Sequence, residues 1–400
     1  NEEGNLYAHF AKKFQEKLKS HFFTQAELID KLMQHLTSFI GYLSDHYPDK
    51  KMALVGFDDI PPQLNHFLEG LKEQGWEVTL FESSHEAKEL TRSSFLDQTQ
   101  ELYQAALMAK AFVSNHQGTI GIVVPDLVRV RSLVNTLFNE VFSPETLLNP
   151  VEEASWQFNI SAGLPLIEYP VIYALFQSFH LLKDPIALED IALLLRSPFF
   201  KNAQTEHSGK MALLHRLKEQ KKSNFSLLEI EKHSQHLIDY EKPLEGWLAL
   251  LKDVLALRET LTHRQSIEAS YQFLVVWMKA LDWPGDRRLT STEFQVVQRF
   301  YGLLSDWLKL ETVLSALSRQ EALDWLKTLC FDTTFQAESR DVNVQIMGLL
   351  EAAGQSFDKL IVTGLHSEAL PSPVNPNPFI PLSLQRDLDM PHATAQRELH

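Results

Sequence analysis

Gly209-Lys210 is the single Gly-Lys pair of the chain and the first place to look for nucleotide chemistry. A phosphate loop surrounds its phosphates with glycine-rich backbone donors and a lysine ammonium, and closes on Ser or Thr. Here Met211 follows the lysine, and Gln204 stands where the first glycine of that loop belongs. The pair reads as a glycine near a helix start, and no Gly-x-Gly-x-x-Gly occurs. His233 and His236, three apart on an expected helix with Glu231 and Asp239 nearby, have a spacing that could put metal ligands on one face. Lys232, Glu241 and Lys242 around them make a solvated face the plainer reading. Asp58 at a strand end, followed by Glu86-Ala87-Lys88, has the order of residues with which nucleases hold Mg²⁺ and position water. The Glu-x-Lys falls beyond the second strand rather than within it, so solvated charge is again the default. His85-Glu86 lacks the second His of a metalloprotease helix, there is no Gly-x-Ser-x-Gly elbow, and Cys330 sits in an apolar helix end where a buried thiol is expected.

Cations that could meet phosphate are few and local. Arg129 and Arg131 follow an apolar strand, and Arg287 and Arg288 follow Trp283-Pro284-Gly285. These four are the candidate phosphate contacts. The run 218–222 is interrupted by Glu219 and Gln220 and reads as solubilising charge. Lys and Arg number 37 against 52 Asp and Glu in 400 residues, a net charge of −15. That balance excludes a general phosphate-binding surface and confines any nucleic-acid contact to a local groove.

The elements that must position these residues follow from the hydrophobic pattern. With 44% hydrophobic and 22% charged residues the chain is globular and not disordered, and its length asks for two or more domains. A single cysteine excludes an intramolecular disulfide and fits a reducing, cytoplasmic compartment. The apolar runs are too short to span a bilayer and the start has no signal-peptide pattern, so no membrane partner is expected. The missing initiator Met and the end at His400 suggest a piece of a longer protein. Apolar residues at helical spacing over 6–47 predict two amphipathic helices. Residues 52–57 and 76–81 read as buried strands around a helix carrying Leu64, Phe67, Leu68 and Leu71, a βαβ-like unit of a parallel sheet. A helix over 95–115 leads to a central strand at 118–124, after which Asp126 can cap the next helix. Nearly everything from 166 to 329 is helical, and strands return at 342–346 and 359–363.

On these residues the chain resembles the superfamily 1 helicases. The stretch Val344-Gln345-Ile346-Met347-Gly348-Leu349-Leu350-Glu351-Ala352-Ala353-Gly354-Gln355-Ser356-Phe357-Asp358-Lys359-Leu360-Ile361-Val362-Thr363-Gly364-Leu365, leading to Leu370-Pro371, is similar to their motif coupling nucleotide to DNA. The likeness is to the RecB and AddB helicase–nuclease group. Within that group it is to the proteobacterial "probable DNA repair protein" family, which joins an inactivated helicase region to a RecB-like nuclease domain. Leu281-Asp282-Trp283-Pro284-Gly285-Asp286-Arg287-Arg288, Leu194-Leu195-Arg196-Ser197-Pro198-Phe199, Phe335-Gln336 and Pro376-Asn377-Pro378-Phe379 add to it, so that it covers most of the chain from Met52 onward.

The resemblance implies a helix-rich α/β fold with RecA-like (P-loop NTPase-like) parallel sheets and a large all-helical insertion. Its implied plan is a helical region over 1–48, the end of a first RecA-like domain over 49–117, and the start of a second over 118–160. The insertion then occupies 161–338, and the second domain returns over 339–400. It also implies a loss. Gly348 and Leu350 stand where the active family has Thr and His, Ala353 replaces Lys, Ser356 replaces the ribose-contacting Glu, and Pro125 replaces an Arg that would reach the γ-phosphate. Gly354 and Phe357, which shape the backbone and pack, remain. The implied function is an inactivated, DNA-binding and DNA-channelling region of a repair exonuclease. It carries no cofactor or ATPase site of its own, and the Mg²⁺-dependent nuclease domain lies outside it. DNA and a partner helicase subunit are the implied partners. The rival reading is a protein-interaction scaffold that docks the partner helicase without touching DNA. A third is an enzyme with a site at Glu86.

Overall fold

The computed structural model describes every residue except 1, 19–23, 25–26, 58–59, 82–88, 116–117, 148–156, 260–263, 313, 315, 337–341, 367–368, 370, 372 and 398–400. The nuclease-like set of Asp58 and Glu86-Ala87-Lys88 lies outside the described residues. The chain forms two compact units, Asn1–Ser161 with Val342–His400, and Ala162–Asp341. The second is inserted in the sequence of the first.

Three helices, α1 (Glu2–Leu18), α2 (Leu28–Gln34) and α3 (Leu36–His46), precede β1 (Lys51–Val55), α4 (Pro62–Glu73) and β2 (Glu77–Phe81). Where two helices are expected over 6–47 there are three, because the chain breaks helical geometry again at His35. Pro62 opens α4 at a position where its missing N–H costs nothing. Phe67, Leu68 and Leu71 then pack on Leu54, Trp76 and Ile40. β1 and β2 pair in parallel, Lys51 opposite Glu77 and Val55 opposite Phe81. Among the described residues, Ala53, Val55, Thr79 and Phe81 alternate onto one side of this pair and are exposed.

Next come α5 (Gln98–Asn115), β3 (Ile120–Val123), α6 (Leu127–Phe142) and β4 (Asn159–Ile160). β3 is buried along its whole length, as its run of apolar residues requires for a central parallel strand.

The inserted unit runs through β5 (Leu164–Pro165), α7 (Pro170–Ser178), β6 (Ile186–Ala187), α8 (Leu188–Arg196), α9 (His207–Glu219), β7 (Asn224–Phe225), α10 (Leu227–Asp239), α11 (Glu245–Glu259), α12 (Ile267–Leu281), α13 (Ser291–Lys309), α14 (Arg319–Asp332) and β8 (Thr334–Phe335). Its strands are two-residue antiparallel bridges, β5 with β8 and β6 with β7. Helix starts are written into the sequence: Ser226 with Glu229, Thr290 with Glu293 and Ser318 with Glu321 each form a reciprocal capping box. The core is aromatic. Trp277, Trp307, Phe300 and Phe225 are fully buried, with the Trp277 ring stacked between Phe179 and Phe273. The Trp277 indole N–H donates to the Ser178 hydroxyl at 2.8 Å, which meets the polar demand that a buried tryptophan carries. Cys330 is buried in α14, and burial pushes its thiol up to about 12.

The first unit resumes with β9 (Val344–Met347), α15 (Leu349–Ala352), β10 (Lys359–Val362) and α16 (Leu382–Asp387). The sheet order is β10-β3-β9-β4, all parallel. Ile120 lies opposite both Val344 and Lys359. The molecule is thus a helix-rich α/β protein with small parallel sheets.

Candidate functional site

Parallel sheets bind ligands where consecutive crossovers leave in opposite directions, in the crevice beyond the carboxyl ends of the strands. β3 runs through α6 to β4, passing over β9, whereas β9 runs through α15 to β10, passing back over β3. Right-handed crossovers place those two connections on opposite faces of the sheet. The crevice therefore opens beyond Val123 and Met347, where sequence places Val124-Pro125-Asp126 and Gly348 to Ser356.

The groups that line it are satisfied by one another. The Gly348 N–H donates to Glu351 Oε2 at 2.9 Å, and the Ser161 hydroxyl, just past β4, donates to the same oxygen. The Gly364 N–H, just past β10, donates to Glu101 Oε1 of α5 at 3.0 Å. Thr363 clasps β3 from both its backbone and its hydroxyl, donating to the Val123 carbonyl at 2.9 and 3.0 Å. Val124 donates to the Met347 carbonyl at 2.9 Å. A phosphate site needs free backbone N–H groups and positive charge. At Gly348 and Gly364 the N–H groups are instead taken by the chain's own carboxylates, which add negative charge where an anion would sit.

The positions singled out in sequence lie on α15 and the turn after it. Leu350 is 93% exposed, and Ala353 and Ser356 are exposed too. None of the three supplies a cation. Gly354 holds φ +74°, a backbone conformation that favours glycine, and so turns the chain from α15 toward β10. Phe357 lies over Gly121 of β3, whose added Cβ would come within 2.7 Å of the ring. These two residues shape the loop, and Leu350, Ala353 and Ser356 beside them present no charged group.

Asp358 is a residue that sequence reading missed. Its carboxylate accepts from the Thr119 N–H at 2.8 Å and the Thr119 hydroxyl at 3.1 Å, and the Thr119 backbone donor holds its pKa below the ordinary carboxylate range. It fastens the amino ends of β10 and β3, residues 239 apart in sequence. Glu351, Ser161 and Glu101 were missed as well. Only Glu351 had a local signal, an acid three residues after the helix-start Gly348.

The candidate cations have different fates. Arg129, exposed in the first turn of α6, pairs with Asp126. Asp126 stands at the cap position of α6 without capping it, because Arg129 takes its carboxylate. Arg131 is half-buried on the same helix. In the inserted unit Arg287 is mostly covered, bonded to Glu293 and to the Arg288 carbonyl at 3.1 Å, with its guanidinium 4.9 Å from the centre of the Phe199 ring. Burial pushes the Glu293 carboxyl up, but bonds from Arg287 and the Thr290 backbone outweigh it and hold the group low. Arg287 thereby braces the capping box of α13, and Arg288 is the exposed member of the pair.

The other sequence candidates prove structural. Gly209 lies in the first turn of α9, where an added Cβ would stand 2.0 Å from the Pro243 carbonyl oxygen. Lys210 is buried and donates to the carbonyls of Lys201 and Asn202 at 2.8 and 3.2 Å. Burial pushes its ammonium down, partly offset by Glu206 and Asp286. The buried Glu206 carboxylate accepts from the Gly246 and Trp247 N–H groups at 2.6 and 3.1 Å and so closes the start of α11. His233 Nδ1 accepts from Arg216 at 3.1 Å, and burial followed by the Arg216 charge pushes its pKa below the ordinary imidazole value. His236 stacks on Tyr240. Lys222 pairs with Glu229 at 2.7 Å. Among the described residues no three His, Cys, Asp or Glu side chains gather as metal ligands, and no helix is long and apolar enough to cross a membrane.

The fold and these strand ends describe a helix-rich α/β chain with small parallel sheets, in which carboxylates accept from the Gly348 and Gly364 N–H groups beyond the strand ends. No family model matches the chain, and no curated protein matches it.

Proposed function

We propose that this chain is the inactivated, helicase-like, DNA-binding region of an AddB/RecB-like repair exonuclease. In this reading the β10-β3-β9-β4 sheet is a RecA-like domain that has lost nucleotide chemistry, and the Ala162–Asp341 unit is its helical insertion. The nuclease domain, with its Mg²⁺, belongs to chain outside these residues. The observation that carries the proposal is the crevice itself. In this reading the Gly354 and Phe357 turn corresponds to the nucleotide-coupling loop of the family it resembles, and carboxylates accept from the backbone donors a phosphate would need. A chain that keeps such a scaffold without its ATP groups serves by holding DNA rather than by moving along it.

A titration of the 400-residue chain against single-stranded and duplex DNA tests the proposal. Binding at low salt that weakens steeply as salt rises is expected, since phosphate contacts release counterions. No detectable binding at low salt sinks it.

A second reading, a scaffold that docks a partner helicase without DNA contact, is favoured by one observation: Arg129 and Arg287 are committed to internal carboxylates. A pull-down with Arg288→Glu separates the two. Partner capture retained with DNA retention lost counts against the scaffold.

A further inference from the structure

We draw no further inference here: the strongest candidate, the small apolar cleft between α7 and α8 lined by Tyr173, Leu193, Pro198 and Phe199, carries nothing because, as with the exposed Tyr7, Phe10 and Phe14 face of α1, nothing in the structure shows what covers it.

Discussion

The inserted helical unit and the sheet-bearing unit spend their sequence differently. In Ala162–Asp341 several polar groups that enter the interior are matched, Trp277 to Ser178, Trp283 to the Val171 carbonyl at 2.9 Å, Glu206 to the start of α11 and Lys210 to two carbonyls, whereas the buried Trp247 and Trp307 indole N–H groups are not. Three of its helices, α10, α13 and α14, start on reciprocal caps, and the unit closes on one large core. The first unit holds its β10-β3-β9-β4 sheet by side-chain clasps at strand ends, and leaves one side of the β1–β2 pair and the aromatic face of α1 exposed. Parallel strands are ordinarily covered on both faces. Large apolar side chains are exposed in both units, among them Leu228, Tyr240, Phe294 and Phe331 in the inserted one, so the difference lies in how each holds itself together, one by a single large core and the other by clasps at strand ends.

The largest effect expected is in the helical core. Trp277→Ala empties a fully buried site and frees the Ser178 hydroxyl, so about 3–5 kcal/mol of stability is lost, read by denaturant unfolding. A loss under about 1 kcal/mol would mean that this core is loosely packed and would undo the contrast. In the sheet, Gly121→Val must displace Phe357 or the β3 backbone, costing about 1–3 kcal/mol. Amides of β3 and β10 are expected to exchange hydrogen faster in that variant while those of α12 do not change. Thr290→Ala removes the hydroxyl that caps α13 at Glu293 N, 3.2 Å away, for about 1 kcal/mol, measurable as a small fall in Tm.

The smallest effect is one of pH. Hydrogen bonds from Lys222, then from the Ser226 backbone, lower the Glu229 carboxyl from an ordinary 4.5 to about 2. A carboxyl depressed by folding stabilises the folded state fully above its unfolded value and loses that contribution as pH falls through the folded one. The stability gap between wild type and Glu229→Gln should therefore be constant above pH 4.5 and close as the pH approaches 2. A gap that widens on acidification contradicts the assignment.

Much of the helical unit is legible in sequence because its signals are local. Ser226, Thr290 and Ser318 each precede a Glu by three residues, and apolar residues recur with helical period. The strands β3, β9 and β10 are legible as apolar runs. What local pattern could not supply is which strands meet: β3 pairs with β9 and β10 across more than half the chain, and Asp358 finds Thr119 across the same distance. The site residues divide in the same way. That Gly348, Leu350, Ala353 and Ser356 lack nucleotide groups is what the resemblance to superfamily 1 helicases implies, residue by residue. That Glu351 and Glu101 occupy the neighbouring donors could not be read in this way, because Ser161 and Gly364 reach them only after folding. Arg287 was read as a phosphate contact from its place beside Trp283. Its partner Glu293, six residues on, was in plain view, but the charge pair forms only because Thr290 starts a helix there.

The most direct test of the central claim, a scaffold that holds DNA with its nucleotide chemistry gone, is one anisotropy titration of single-stranded DNA at low salt with and without ATP and Mg²⁺. Measurable binding with the same affinity in both conditions is the outcome expected from a crevice whose donors Glu351 and Glu101 already fill. No binding in either condition, or an affinity that shifts with ATP, would contradict it.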